Sequence, residues 1–277
     1  MEKNEFTLQP VQSVKPIAPW LGGKAHLADN ICPRIDTTDH CCYVDVFGGM
    51  GGIFFRRQFQ PKVEVLNDIS RDIHNLFLIL REHYPQLLET MKYQITSRRE
   101  FERLVRQEPN SLTDLQRAAR FLYLQRTAFG GKCAGQSFGT TTTSPGRFDL
   151  TKLAPLLEDV HERLSGVVLE CETWQRVIAR YDRPHTLFYL DPPYHGCEDD
   201  YGKGLFGETD FTEMASVLSE IQGRFILSIN DTPEIRRWFS DFTQEEVSTR
   251  YSAGLQNAAV GELLISNYDH VVQKGLL

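Results

Sequence analysis

The tetrapeptide Asp191-Pro192-Pro193-Tyr194 directly follows the apolar run of residues 186–190. Prolines lack a backbone N–H and fix φ, so the turn is stiff and its carbonyl groups are free to accept hydrogen bonds. The Asp191 carboxylate and a proline carbonyl can together accept both hydrogens of an NH2 group, while the Tyr194 ring offers a face to a planar base. The tetrapeptide therefore predicts a clamp for an amine on a planar base, with an ordinary proline-stiffened turn as the alternative.

Such a clamp suits the transfer of an alkyl group to an exocyclic amine. The lone pair of an aromatic amine is delocalised into the ring, and two acceptors on its hydrogens favour a pyramidal nitrogen that can attack in line. The protein then contributes mainly positioning and electrostatics. We expect direct displacement, without a covalent enzyme intermediate and without a metal.

A glycine-rich turn at residues 48–52 follows a second apolar run, residues 41–47, which contains Asp45. Glycines let the backbone approach a ligand closely, although this spacing is not the dinucleotide pattern G-x-G-x-x-G. Asp68 follows the next apolar run, residues 63–66. An acid at this point of an α/β unit can hold ribose hydroxyls, whereas an isolated aspartate there is more often a helix N-cap.

These motifs stand at the ends of predicted strands in a parallel α/β sheet. Strand, glycine turn, strand and a helix over residues 69–83 open such a sheet, and its ligands bind beyond the carboxyl ends of the strands. The α/β alternation resumes after residue 166. Later strands are predicted at residues 167–169, 186–190, 225–229, 262–266 and 271–273.

The segment between the two α/β parts differs from them in composition and in its hydrophobic pattern. Helical patterns span residues 97–107 and 113–126, and the Gly/Thr/Ser-rich residues 130–146 are typical of a hairpin or loop system. Residues 92–152 carry a charge of +6, which leaves −13 for the rest of a chain whose net charge is −7. The net charge argues against nucleic acid, whereas the basic insert predicts a module that faces a polyanion.

Four side chains of the insert are candidate DNA contacts: Arg126, Lys132, Phe138 and Arg147. Cations can contact phosphates and base edges, and an aromatic wedge helps to extrude a base from the duplex. The arginines of the first helical pattern are more simply explained as a solvated helix face.

Composition and spacing exclude several other classes. The six cysteines lack the C-x-x-C or Cys/His spacing of a zinc site, so no metal is expected. The N-terminal residues lack a signal-peptide core, and no apolar run approaches the ~18 residues of a membrane span. We therefore expect a cytoplasmic protein that does not associate with membranes.

Six motifs together resemble the Dam-type DNA adenine-N6 methyltransferases, and they occur in that family's order. They are P-W-L-G-G-K (19–24), F-G-G-M-G (47–51), L-N-D-I (66–69), D-P-P-Y (191–194), S-I-N-D-T-P-E-I (228–235) and E-L-L-I-S-N (262–267). The resemblance covers nearly the whole chain, and six ordered motifs are far more specific than any single one.

The resemblance implies S-adenosylmethionine as the methyl donor. Its implied contacts are Trp20, Lys24, Asp45, Phe47, Gly49, Asp68 and Asp191. Among these, Asp68 matches the acid on the ribose, and Asp191 lies where the reactive methyl meets the target amine. Val46 and Met50 depart from the family's usual residues, and residues 125–131 match its insert motif only loosely, so the resemblance implies no particular target sequence.

The expected fold is a three-layer αβα, Rossmann-like class I methyltransferase domain (residues 1–80 and 166–277) with an inserted helical and hairpin DNA-recognition domain (residues 81–165). The expected activity is methyl transfer to N6 of a flipped-out adenine in double-stranded DNA. Cytosine N4 or adenine in RNA remain alternative acceptors, and a non-catalytic DNA-binding protein of the same fold is a further alternative. These motifs set neither the role in restriction-modification nor the oligomeric state.

Overall fold

A computed structural model describes residues 7–197, 204, 206–248 and 261–269 of the chain. Its strands are β1 (Gln9–Pro10), β2 (Cys42–Asp45), β3 (Phe59–Gln60), β4 (Val63–Asn67), β5 (Val168–Glu170), β6 (Thr186–Leu190), β7 (Arg224–Asn230), β8 (Thr243–Ser248) and β9 (Gly261–Ser266). Its α-helices are α1 (Ala28–Thr37), α2 (Arg71–Glu82), α3 (Tyr84–Met91), α4 (Arg98–Arg106), α5 (Asp114–Thr127), α6 (Leu150–Arg163), α7 (Trp174–Tyr181), α8 (Glu208–Glu220) and α9 (Pro233–Trp238).

Seven strands form one sheet in the order β5-β4-β2-β6-β7-β9-β8. The first five strands in this order are mutually parallel, whereas β9 runs antiparallel to both of its neighbours. The sheet order reverses beside β2, the first strand of the sheet in the chain, so β2 and its neighbours open a crevice at their carboxyl ends. The Rossmann-like prediction is confirmed.

Helices cover both faces of this sheet. One apolar core packs α1, α2 and the helices up to α6 against one face, and a second packs α7, α8 and α9 against the other. Strand β6 is buried along its whole length because both of its faces are covered. This placement explains why residues 186–190 read as a continuous apolar run.

Most predicted strands match observed strands closely, and the helix predicted over residues 69–83 is α2. Edge strand β8 was not predicted, because the sequence T-Q-E-E-V-S is polar and carries no clear alternation. The strand predicted at residues 271–273 lies outside the described residues.

The insert is built mainly from helices α3 to α6. Ser97 and Thr113 cap α4 and α5, and Thr113 forms a capping box with Gln116, so both helices begin where a side chain satisfies backbone N–H groups. Residues 130–146 form a loop, tied at its base by a single antiparallel bridge between Ala128 and Phe138. The insert helices share their apolar core with α1 and α2.

Within the part of the chain that the structure describes, no helix is long and apolar enough to cross a membrane. The same residues contain no group of three or more His, Cys, Asp or Glu side chains placed to hold a metal ion.

Candidate active site

A cavity of about 600 Å³ opens at the carboxyl ends of β2, β4 and β6. Six of the seven predicted donor contacts line it, namely Trp20, Lys24, Asp45, Phe47, Asp68 and Asp191. The seventh, Gly49, lies between the lining residues Gly48 and Met50. Residues from widely separated parts of the sequence therefore meet in one cavity.

The glycine turn is shaped by a contact with Trp20. Gly49 has a φ of +51°, and a Cβ placed there would lie 2.7 Å from the indole Nε1 of Trp20. The backbone N–H of Gly49 donates to the Asp68 carboxylate at 2.8 Å. Only glycine combines this backbone conformation with so close an approach of the indole.

Asp68 is held by backbone N–H groups on both sides. Besides Gly49, the N–H of Ser70 donates to it at 2.8 Å. The N-cap of α2 is Ser70, whose side chain accepts from Ile73, so Asp68 is not the cap. Burial raises the pKa of Asp68, although the two N–H donors oppose the shift.

Asp45 is buried and has an unsatisfied oxygen. It is 2% exposed, and its Oδ1 has no hydrogen-bond partner among the described residues. Burial raises its pKa well above the ordinary value, and the nearby Asp191 and Asp68 carboxylates add to the effect. Neither Asp45 nor Asp68 forms an ion pair with a described residue, which is an arrangement suited to a cationic ligand.

Lys24 joins the N-terminal motif to the tetrapeptide. Its ammonium forms a buried ion pair with Asp191 Oδ1 and lies 4.4 Å from the centroid of the Tyr194 ring. The Asp191 side chain keeps 18% of its surface exposed, so it reaches the cavity. Burial raises the pKa of Asp191 to about 6, and Lys24 partly counteracts that shift.

Glu262 completes this cluster, which we call the clamp cluster: Lys24, Asp191, Tyr194 and Glu262. The Tyr194 hydroxyl donates to Glu262 Oε2 at 2.5 Å, and Glu262 Oε1 lies 3.6 Å from Lys24 Nζ. Sequence reasoning placed Glu262 in a family-like stretch but gave it no role. An acid at the start of an otherwise apolar strand was the available signal.

Asn230 fixes the backbone that follows the tetrapeptide. Its side chain accepts from His195 N at 2.9 Å and donates to His195 O at 3.0 Å. Asn230 lies directly opposite Glu262 in the β7–β9 pair. Two neighbouring strands therefore hold the tetrapeptide from one side.

The predicted DNA contacts occupy different environments. Arg126 lines the cavity and donates to Ile17 O at 3.2 Å, and burial lowers its pKa. Arg147 donates to Ala128 O at 2.8 Å, whereas Lys132 is exposed. Their roles toward DNA stay predictions.

The aromatic side chains of the loop also differ in exposure. Phe138 is half-buried, lies 5.5 Å from the Phe101 ring and has the Arg98 guanidinium 4.9 Å above it. Phe129 is 57% exposed. A wedge that enters a duplex needs an exposed ring, which Phe129 offers most fully of the two.

The sheet order and the cavity at the carboxyl ends of its strands define a Rossmann-like α/β protein. The model of the D12 class N6 adenine-specific DNA methyltransferases matches residues 20–253. The chain belongs to this family and is an adenine-specific DNA methyltransferase.

Named relatives span viruses and bacteria. The type II methyltransferase M.CviBI of Paramecium bursaria Chlorella virus NC1A is 23% identical over 263 residues, covering 92% of this chain and 100% of that protein. The DNA adenine methylase of Escherichia coli K12 is 28% identical over 247 residues, covering 84% and 87%. Among solved structures, a putative methyltransferase, yhhF from Escherichia coli, covers 89% of this chain and is itself covered to 86%, with 12% identity and a TM-score of 0.37.

Proposed function

We propose that the chain transfers the methyl group of S-adenosylmethionine to N6 of an adenine rotated out of double-stranded DNA. One observation supports the proposal: Asp68 and Asp191 line the same cavity, so the proposed ribose contact and the proposed amine clamp would be adjacent. The donor and the target base would thus meet at Asp191.

The cavity residues suit this donor. S-adenosylmethionine brings an electrophilic methyl group on a sulfonium, together with an ammonium group. Asp45 is buried and Asp68 is half-buried, and neither carboxylate has an ion-pair partner among the described residues. A bound cation would favour their ionised forms. Asp68 would accept from ribose hydroxyls, while Trp20 and Phe47 provide apolar walls near the glycine turn.

Asp191 would position the acceptor amine. Lys24 and, at 3.5 Å, Ser228 both contact Oδ1, and among the described residues Oδ2 accepts no hydrogen bond. An amine hydrogen can bind Oδ2 and the other the carbonyl of Pro192, while the base stacks on Tyr194. The nitrogen lone pair then forms the N–C bond as the S–C bond breaks.

The charges and protons of this displacement balance within the site. The positive charge moves from sulfur to N6, which then loses a proton. Asp191, with its pKa raised to about 6, can take that proton and release it to solvent. The products are methylated adenine and a neutral thioether.

The insert, residues 81–165, is proposed to hold the duplex. Residues 92–152 within it carry a charge of +6, against −13 for the rest of the chain, and this contrast would confine DNA to this side and the cavity mouth. Arg126, Lys132, Phe138 and Arg147 stay candidate contacts. Extruding the base costs a few kcal/mol of unstacking, which contacts from the insert offset.

Asp191→Ala tests the proposal. With tritium-labelled donor and duplex DNA, the wild type should yield labelled N6-methyladenine after digestion to nucleosides. The variant should lose at least ~10²-fold in rate because the amine loses its charged acceptor. Its melting temperature, measured by calorimetry, serves as the control for folding. Undiminished transfer by Asp191→Ala, or label in cytosine alone, would overturn the proposal.

A further inference from the structure

Glu262 is a fully buried carboxylate, and its polar contacts among the described residues are with other members of the clamp cluster. It is the second residue of β9 and is 0% exposed. A buried charge requires partners, and its partners among the described residues are the Tyr194 hydroxyl and the Lys24 ammonium. The family match covers residues 20–253 and does not extend to this side chain.

The geometry of Glu262 does not favour a role in stability. Its Oε1 has no hydrogen bond among the described residues and lies 3.6 Å from Lys24 Nζ. The attraction within a buried ion pair seldom exceeds the free-energy cost of desolvating the two charges, and an unsatisfied oxygen adds to that cost. An apolar residue would serve a sheet interior better, which points to a functional reason for the acid.

We propose that Glu262 is a positioning residue for methyl transfer, which holds the Tyr194 ring and shares the charge of Lys24 with Asp191. The inference rests on the proposed function and deepens it. Glu262 does not touch the target base; it acts through Tyr194 and Lys24.

Each contact has a separate consequence. The hydrogen bond from the Tyr194 hydroxyl to Glu262 restricts the ring to one orientation, so the stacking face is formed before the base arrives. The contact with Lys24 prevents the ammonium from being neutralised by Asp191 alone. Asp191 therefore keeps more negative charge available for the amine.

The acid limb of the rate profile reports this charge sharing. Asp191 is faced by Lys24, Glu262, Ser228 and Asp45, and its pKa is raised by burial, lowered by Lys24 and raised again by Glu262. Removing the Glu262 charge should therefore lower the pKa of Asp191. The acid limb of kcat should then move to lower pH.

Glu262→Gln is the decisive variant because it keeps the size and an acceptor oxygen while removing the charge. We expect kcat to fall ~10–100-fold through misplacement of the amine, with donor affinity within about twofold of wild type. Stacking is read from the fluorescence of 2-aminopurine at the target position, which should change between wild type and variant. Glu246→Gln, on neighbouring β8, is the control and should leave kcat and its pH profile unchanged.

Tyr194→Phe separates the two contacts. It removes the hydroxyl but keeps the ring and leaves Lys24 beside Glu262. Its effect on kcat should be smaller than that of Glu262→Gln, and the two effects should be non-additive in the double variant.

Wild-type kcat in Glu262→Gln with an unshifted acid limb would overturn the inference. So would a loss that follows the melting temperature or donor affinity, since a merely structural role predicts that result. If these outcomes occur while Asp191→Ala is inactive, only the role of Glu262 fails. Activity in Asp191→Ala would instead remove the proposed function.

Discussion

The side-chain amide of Gln125 donates to the backbone carbonyl of Pro19 at 2.9 Å, across 106 positions of sequence. The same nitrogen donates to Gly131 O at 2.7 Å, and Gln136 donates to the Gln125 oxygen at 3.1 Å. Leu21 N also donates to Gly131 O at 3.0 Å. A fully buried glutamine therefore ties the segment that carries Trp20 and Lys24 to the loop that carries Lys132.

Gln125→Ala should weaken both donor and DNA binding. The carbonyl groups of Pro19 and Gly131 would lose a buried donor, at a cost of about 1–3 kcal/mol in unfolding free energy. Because the loosened segment carries Trp20, donor affinity should fall several-fold, as isothermal calorimetry can measure. Gln116→Ala on the exposed side of the same helix is the control and should leave both affinities unchanged. Unchanged donor binding in Gln125→Ala would contradict the role of Gln125 in holding the segment that carries Trp20.

Gly49→Ala should strongly weaken donor binding. Its φ of +51° costs an alanine about 1–2 kcal/mol, and the new Cβ would collide with the Trp20 indole at 2.7 Å. The displaced Trp20 would narrow the cavity, so donor affinity should drop at least ~10-fold.

Gly166→Ala controls for the free-energy cost of placing an alanine at a positive φ. Gly166 has a φ of +78°, but apart from its chain neighbours no heavy atom of the described residues lies within 4 Å of its Cβ position. It should lose similar stability without any loss of donor affinity. Equal donor affinities for the two variants would show that the contact with Trp20 is unimportant.

The ionisation of Asp191 should act on stability and rate in opposite directions. Burial raises its folded pKa from 3.8 to about 6, so the folded state binds more protons in this interval. Its contribution to the unfolding free energy is therefore largest below the unfolded pKa and is lost as pH rises through the folded pKa. Methyl transfer should instead increase over the same interval, because in the proposed mechanism the ionised carboxylate accepts the amine hydrogens.

Denaturant titrations from pH 4 to 8 on the wild type and Asp191→Asn test this assignment. The variant, which cannot ionise there, should lose less stability with rising pH than the wild type. A parallel slope in both proteins would assign the effect to other groups.

Lys132→Ala should weaken DNA binding without changing its sequence preference. If the exposed Lys132 contacts one phosphate, the slope of log K against log salt should decrease in magnitude by about 1. Lys62→Ala is the matched control. Lys62 is exposed and directly precedes β4, so it lies at the amino end of that strand, away from the carboxyl ends where the cavity opens. Fluorescence anisotropy across 50–300 mM salt measures both slopes, and identical slopes would remove Lys132 from the interface.

Local patterns were sufficient to predict the strands and helices that frame the site. The strand at residues 186–190 coincides with β6, and the predicted insert helices begin at the capping residues Ser97 and Thr113. Apolar runs, glycine turns and caps are properties of neighbouring residues, so one stretch of sequence contains the information. The order of motifs also identified the family.

The contacts of Glu262 and Gln125 could not be predicted in this way. Glu262 meets Tyr194 across 68 positions because β9 inserts between β7 and β8, an order that no local pattern encodes. Arg126 likewise lies in a basic segment, yet its guanidinium turns toward the cavity and Ile17 O. Charge counts describe a segment, whereas helix packing decides which way each side chain points.

The sequence alone therefore determined most strands and helices and identified the family-like motifs, including the tetrapeptide, because each of these depends on residue types at short spacing. The tertiary structure decided which distant side chains meet: Asp68 with Gly49, Lys24 with Asp191, and Glu262 with both Lys24 and Tyr194. These meetings follow from the strand order and from burial, which force charged groups of remote segments to satisfy one another at the carboxyl edge of the sheet.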